Sequence, residues 1–171
     1  MPPMSSPPSI ATRPGRAADA AELTELLNAV IRRGGTTAME EAFSPAGFRE
    51  HFIDGPDLAC CVVAVSIQDG RLVGFQAVCR HPELPAGWGD IATFADQDKK
   101  IPGVGAALFS ETRERAHGLG LEAINATIRA DNTGGLAYYS KMGFVDYKTD
   151  RAVPLADGTP VDRISKVFRL G

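Results

Sequence analysis

The sequence predicts a mixed α/β domain with strand hairpins in its middle and helical crossovers towards its end. Three observations predict it. Apolar runs with strand character and amphipathic helical stretches follow one another in the order β-α-α-β-β-β-α-β-α-β-β. The central strand runs are separated by turns, whereas the later ones are separated by helices. At 171 residues, with no internal repeat and no linker, the chain has the length of one well-cored domain. We place that domain at residues 10–171 and read residues 1–9, rich in Pro and Ser, as a disordered tail.

Ile10 to Arg13 reads as a first strand. Ala17-Ala18-Asp19 opens a helix in which Leu23, Leu26, Leu27, Val30 and Ile31 share one face, and Gly34-Gly35 ends it. Ser44-Pro45 supplies an N-cap and first turn for a shorter helix to about Phe52. Leu58 to Ile67 and Arg71 to Cys79 form a strand pair. A two-residue turn at Asp69-Gly70 would set Cys60 directly opposite Cys79. Gly89 to Ala95 is a further strand, and a helix starts at Gly103 and stops at Gly118 to Gly120. Leu121 to Arg129 alternates as a strand. Asp131-Asn132-Thr133 caps another helix, which closes at Gly143. Phe144 to Tyr147 and Ile164 to Phe168 are the last strands, with Asp157-Gly158 between them.

Composition excludes several function classes. With 44% hydrophobic and 23% charged residues the chain is ordinary globular protein. A formal net charge of −3 lacks the basic excess of a phosphate-reading nucleic-acid binder. No apolar run approaches a bilayer span, and the N-terminus lacks a charged n-region followed by an apolar h-region. We therefore expect a cytoplasmic protein with no nucleic-acid and no membrane partner. The three cysteines, Cys60, Cys61 and Cys79, have no metal-type spacing to histidine and sit in apolar runs, so we expect buried thiols and no metal. His51 and His117 read as surface residues.

Two segments carry the chemistry. In Lys100-Ile101-Pro102-Gly103-Val104-Gly105-Ala106 a strand turns into a helix. Side-chain-free Gly103 and Gly105 let a ligand approach the backbone, and the helix start offers free N–H groups to an anion such as a pyrophosphate. It is neither a Walker A loop, since Ala106-Ala107 follows Gly105, nor a dinucleotide fingerprint, since Leu108 stands where a third glycine is needed. The second segment runs from Asn132 to Phe144. A capping Asn and a closing Gly bracket Tyr138 and Tyr139, which a helix points about 100° apart, so that one packs while the other faces a cleft.

Together these segments resemble the GNAT superfamily of acyl-CoA-dependent N-acetyltransferases. Lys100 to Gly105 is similar to its Arg/Gln-x-x-Gly-x-Gly/Ala loop, with Lys100 in place of Arg or Gln and Pro102 removing an N–H. Asn132 to Phe144 matches its Asn-x-x-Ala-x-x-Leu-Tyr-x-Lys-x-Gly-Phe pattern, with Gly135 at the Ala position and Tyr138 at the Leu position. The resemblance implies a central mixed, mainly antiparallel twisted sheet with splayed middle strands and about four flanking helices. It implies acetyl-CoA as co-substrate and no metal. It places acetyl-CoA against Phe94 and Ala95, the loop residues Lys100, Ile101, Gly103, Val104, Gly105 and Ala106, and Asn132, Tyr139 and Lys141. Tyr139 takes the acid position beside the leaving thiolate, and a strand amide, with Phe94 expected, donates to the oxyanion.

A closer likeness is to the phosphinothricin acetyltransferase branch. Asn28-Ala29-Val30-Ile31 leads into Gly35-Thr36-Thr37-Ala38-Met39-Glu40, similar to that branch's Gly-Thr-Ala-Thr-Phe-Glu box. The likeness implies that Thr36, Thr37 and Glu40 line an acceptor pocket, with His81 nearby, and it suggests a homodimer. For the base, the likeness suggests Glu40; Asp90, His81 and Glu83 are the other candidates, because they flank the strand that leads to the thioester, and a water chain is an alternative. The expected acceptor is the primary amine of a small molecule, an amino acid or an analogue. The alternatives are a polyamine, an aminoglycoside or a protein N-terminus. Outside that activity stand a non-catalytic acyl-CoA sensor and a nucleotide-binding α/β domain.

Overall fold

The computed structural model describes residues 9–171, so the expected tail, apart from Ser9, lies outside the described residues. Seven strands form one sheet: β1 (Ile10–Pro14), β2 (Leu58–Ser66), β3 (Leu72–Cys79), β4 (Trp88–Ala95), β5 (Ala123–Arg129), β6 (Val145–Pro154) and β7 (Pro160–Arg169). Their order across the sheet is β1-β2-β3-β4-β5-β7-β6. Every pairing is antiparallel except β4 with β5.

Four α-helices flank it: α1 (Ala20–Arg33), α2 (Pro45–Phe52), α3 (Val104–Gly118) and α4 (Thr133–Met142). A 3₁₀ turn at Ala17–Asp19 precedes α1. Asp19 there is held by both guanidinium nitrogens of Arg13, at 2.8 and 2.9 Å. The α1 stripe buries Leu23, Leu27 and Val30, and the helix stops at Gly34, whose φ of 70° excludes ordinary side chains. Ser44 caps α2 by accepting from Gly47 N at 3.0 Å.

Helices α1 and α2 cover one face of β2, β3 and β4 through an aromatic cluster. Phe48 lies 5.2 Å from Phe75, which lies 5.1 Å from Phe94. On the other face α3 and α4 pack over Val78, Ile91, Ile124, Ala126 and Ile128, with Phe109, Phe144 and Phe168 filling the layer.

Two expectations change. The β2–β3 loop is four residues long, with Gly70 N donating to Ser66 O at 2.8 Å and Ser66 N to Arg71 O at 2.8 Å. Together with two register irregularities this slips the pairing, so Cys60 faces Val78 and Leu58 faces Cys79. The last two strands are also longer than their apolar cores suggest. Strand β6 is an exposed edge whose polar sequence has no alternation to read, and its length comes from pairing with β7.

Candidate active site

The site begins where the sheet comes apart. Parallel strands β4 and β5 pair only over Trp88–Asp90 and Ala123–Asn125, then diverge. The V between them is the base of a cleft of about 600 Å³. Its backbone polarity follows from the β3–β4 ladder. Asp96 N donates to Val73 O at 2.9 Å, so the directly bonded pairs are those in step with it, Phe94 with Phe75 among them. The alternation turns the N–H and C=O groups of Thr93 and Ala95 towards the open V. This corrects one expectation: the Phe94 amide is committed to β3 and its ring to the aromatic core, so it is not the free donor.

Side chains alternate likewise. On the α3/α4 face, Thr93 Oγ1 lies 2.7 Å from the Tyr139 hydroxyl and accepts from Gln76 Nε2 at 2.8 Å. Gln76 Nε2 also donates to the Tyr138 hydroxyl at 3.1 Å, and Tyr138 donates to Gly105 O at 2.7 Å. Both tyrosines therefore line the cleft, rather than one of the pair. Burial pushes the Tyr138 phenol up to about 12 and the Tyr139 phenol higher, so both stay protonated. Burial likewise lifts the three cysteines, Cys60 and Cys79 to about 11 and Cys61 to about 12, which leaves them as thiols.

Above the V stands the start of α3. Gly103 is its N-cap, with φ 89°, and the first helical bond runs from Ala107 N to Gly103 O at 2.9 Å. The amides of Gly103, Val104, Gly105 and Ala106 therefore have no intrahelical partner. Pro102 precedes them, so its missing N–H takes nothing from this set. A Cβ on Gly105 would lie 2.5 Å from the Tyr138 ring, so only glycine lets α3 and α4 approach this closely. Lys100 and Ile101 line the cleft beside this turn. These amides, one lysine and the open strand edge fit a ligand with a diphosphate at one end and a slender arm reaching between the strands.

The opposite face holds different chemistry. Asp90 lines the cleft at the apex of the V, with Oδ1 accepting from Asn125 Nδ2 at 2.8 Å. Burial raises its carboxyl above the usual range, against the pull of the Asn125 bond and of His81. The loop Thr36, Thr37, Ala38 and Met39 roofs this side. Two bonds tie it down: Arg129 Nη1 donates to Thr37 O at 3.2 Å and Asn132 Nδ2 to Thr36 O at 2.9 Å. Asn132 also caps α4, accepting from Gly135 N at 2.9 Å. Arg129 is neutralised by Asp131 through bonds of 2.9 and 2.7 Å. Its cross-strand neighbour Arg163 borders the cleft and has no ion-pair partner among the described residues.

Phe94, Ala95, Lys100, Ile101, Gly103, Val104, Gly105, Asn132, Tyr139, Asp90, Thr36 and Thr37 thus meet at one cleft. Ala106 does not line it, although its amide is one of the four without an intrahelical partner at the start of α3. Glu40, His81 and Lys141 are exposed and do not line it. Glu40 accepts from Ala156 N at 2.8 Å, bracing the β6–β7 turn, and His81 Nδ1 accepts from Glu83 N at 3.2 Å. Sequence reasoning missed Gln76, Asn125, Arg129 and Arg163. The available signal was a buried amide inside each of two apolar strands, Gln76 in β3 and Asn125 in β5. Such a group is costly to bury without a task. Among the described residues no cluster of His, Cys, Asp and Glu could hold a metal, and no helix is long and apolar enough to cross a membrane.

Residues 23–144 match the family model described as acetyltransferase (GNAT) family. No curated protein matches the chain. Among solved structures, the chain is similar to a GNAT superfamily phosphinothricin acetyltransferase from Sinorhizobium meliloti in complex with AcCoA. The TM-score is 0.83 at 21% identity, over 95% of this chain and 89% of that one. It is similar to an N-acetyltransferase from Staphylococcus aureus Mu50, with TM-score 0.83, 16% identity and coverage of 95% and 99%. A ribosomal-protein-alanine N-acetyltransferase from Brucella melitensis gives 0.78, 18%, 93% and 99%. At these identities the likeness is one of fold.

Proposed function

The chain belongs to the GNAT acetyltransferase family, and we propose that it acetylates the primary amine of a small molecule, an amino acid or an analogue of one. Acetyl-CoA supplies the activated acetyl group. The observation that carries the reading is the parted β4–β5 pair, with anion-binding amides on one side of the sheet and the Asp90 carboxylate on the other.

Each job of the reaction then falls to a residue already placed. Asp90 takes the proton from the acceptor ammonium, which must be neutral to attack. The amides of Thr93 and Ala95 face the V and hold the carbonyl oxygen as it gains charge. Thr93 Oγ1, already accepting from Gln76, donates to Tyr139 and leaves the phenol proton free for the departing sulfur. The raised Tyr139 pKa makes full proton transfer to a thiolate, reference pKa about 8.5, uphill, so its role is hydrogen bonding. Glu40, turned to the β6–β7 loop, is not the base in this reading.

Charge in the acceptor arm supports a zwitterionic acceptor. Asp90 is beside Asn125 and Arg163 beside Arg129, four residues further along β5. That is about 13 Å along the strand before the side chains reach inwards, a gap a small amino acid bridges. The ammonium meets Asp90 and the carboxylate meets Arg163. A polyamine would put a second cation against Arg163. A sensor would have no use for the Gln76–Thr93–Tyr139 chain. The same reading takes 10–171 as one catalytic domain of a cytoplasmic protein, and as a homodimer by the likeness to the phosphinothricin branch.

The test is calorimetric titration with acetyl-CoA, followed by thiol release across matched amino acids and their amides. We expect micromolar binding that Gly103→Glu abolishes. We expect a preference of about tenfold or more for free amino acids over amides, erased by Arg163→Gln. Binding without thiol release on any amine would leave the sensor reading in its place.

A further inference from the structure

Strand β6 lies two strands away from the cleft's V, yet one of its side chains reaches into the hydrogen bonding of the site. Between Asp146, opposite Lys166, and Lys148, opposite Ser165, the register carries one extra residue, Tyr147. The bulge sets Tyr147 and Lys148 on the face that carries Asn125, Thr127 and Ser165. The Tyr147 ring stands edge-on to Trp88 at 5.7 Å, and the Arg169 guanidinium lies 5.2 Å over Trp88. Its hydroxyl donates to Asn125 Oδ1 at 2.6 Å.

Asn125 is buried, and its amide is fully used. Oδ1 accepts from Tyr147, while Nδ2 donates to Asp90 Oδ1 at 2.8 Å and to Thr127 Oγ1 at 3.0 Å. An ionised Asp90 only accepts, so the amide must present nitrogen to it. The amide oxygen then points at β6 and needs a donor there, which Tyr147 supplies. Without that donor the orientation that serves the carboxylate leaves a buried oxygen unpaired.

We propose that Tyr147 and Asn125 are positioning residues for Asp90, with Tyr147 acting through Asn125 to hold the carboxylate ionised and aimed into the cleft. The inference rests on Asp90 as the acceptor-side base. Tyr147 itself does not line the cleft, so it acts on the amine only through this chain. The titratable groups around Asp90 are Cys79 on β3, His81 in the following loop, Tyr139 from α4 and Tyr147 from β6. The two phenols and the thiol stay neutral in the assay range, so His81 is the member of this set that the experiment controls for.

The experiment is the pH profile of kcat/KM for the acceptor in wild type, Tyr147→Phe, Asn125→Leu, His81→Gln and Asp90→Asn. Tyr147 is half exposed, so Tyr147→Phe keeps the fold. In that variant the acid limb moves to higher pH by about half a unit or more, because the carboxylate loses a well-oriented donor. The KM for acetyl-CoA stays unchanged. Asn125→Leu moves the limb the same way and further, and His81→Gln leaves the separation between wild type and Tyr147→Phe intact. A Tyr147→Phe profile that coincides with wild type, while Asp90→Asn is inactive, overturns the positioning role alone. An Asp90→Asn enzyme as active as wild type overturns the base assignment, and the positioning role with it.

Discussion

The two arms of the cleft are built by different means. The arm over α3 and α4 is made largely of backbone: four free amides at the start of α3, the turned-out groups of Thr93 and Ala95, and a glycine that lets two helices touch. The arm under the Thr36–Met39 loop is made of side chains from separate segments: Asp90 from β4, Arg129 from β5 and Arg163 from β7, with Asn125 of β5 and Tyr147 of β6 bonded in series behind Asp90. A backbone site recognises what every acyl-CoA shares and tolerates little change in shape. A side-chain site reads the variable partner and changes residue by residue.

The sharpest way to break that contrast is to put a side chain where the first arm needs none. Gly105→Val drives a carbon into the Tyr138 ring, which must swing and give up its bonds to Gly105 O and Gln76. We expect acetyl-CoA affinity to fall by about a hundredfold, the upper end of an overpacking cost, with an unchanged circular dichroism spectrum. Calorimetry measures it. Affinity within twofold of wild type would mean that the close helix contact does not shape the phosphate turn.

Tyr139→Phe should have a smaller effect, because in the proposed mechanism the phenol bonds rather than transfers. Turnover should fall by about tenfold to thirtyfold, less than general acid catalysis often supplies, with acetyl-CoA affinity unchanged. The pH dependence separates the two roles. Burial raises the Tyr139 pKa, so the phenol keeps its proton through the whole assay range and adds no basic limb. Mutant and wild-type profiles should have the same shape at different heights. A basic limb present in wild type and absent in Tyr139→Phe would instead make Tyr139 a titrating acid.

The same contrast explains what could be read from the sequence. Gly103 and Gly105 announce a turn, and Asn132 and Gly143 a cap and a stop, each pair inside one short segment, so the first arm is legible locally. Asp90 was legible as a carboxylate at the head of a strand. Glu40 looked equivalent, and only the fold shows it turned towards Ala156. Arg129 and Arg163 are 34 residues apart in sequence and become neighbours through the β5–β7 pairing. Tyr147 depends on a bulge in an edge strand that has no apolar alternation at all. The Cys60–Cys79 pairing failed for a related reason, since a loop two residues longer than expected and two bulges leave no local mark in composition.

Asn132 is the residue that belongs to both arms, and it offers the finest test. Its Oδ1 caps α4 through Gly135 N, and its Nδ2 holds the Thr36–Met39 loop, the proposed acceptor side, through Thr36 O. Asn132→Ala should cost about 1 kcal/mol in denaturant unfolding, the usual worth of an N-cap. The loop keeps its second tie, from Arg129 to Thr37 O, so it loosens without detaching. The KM for the acceptor should then rise by about threefold while acetyl-CoA affinity holds, since the α3 amides do not depend on this residue. Asn132→Asp separates the two jobs: it keeps the cap oxygen and loses the donor. It should recover the stability and leave the acceptor KM raised. Equal recovery of both would place the effect in the helix alone and remove the loop tie from the acceptor arm.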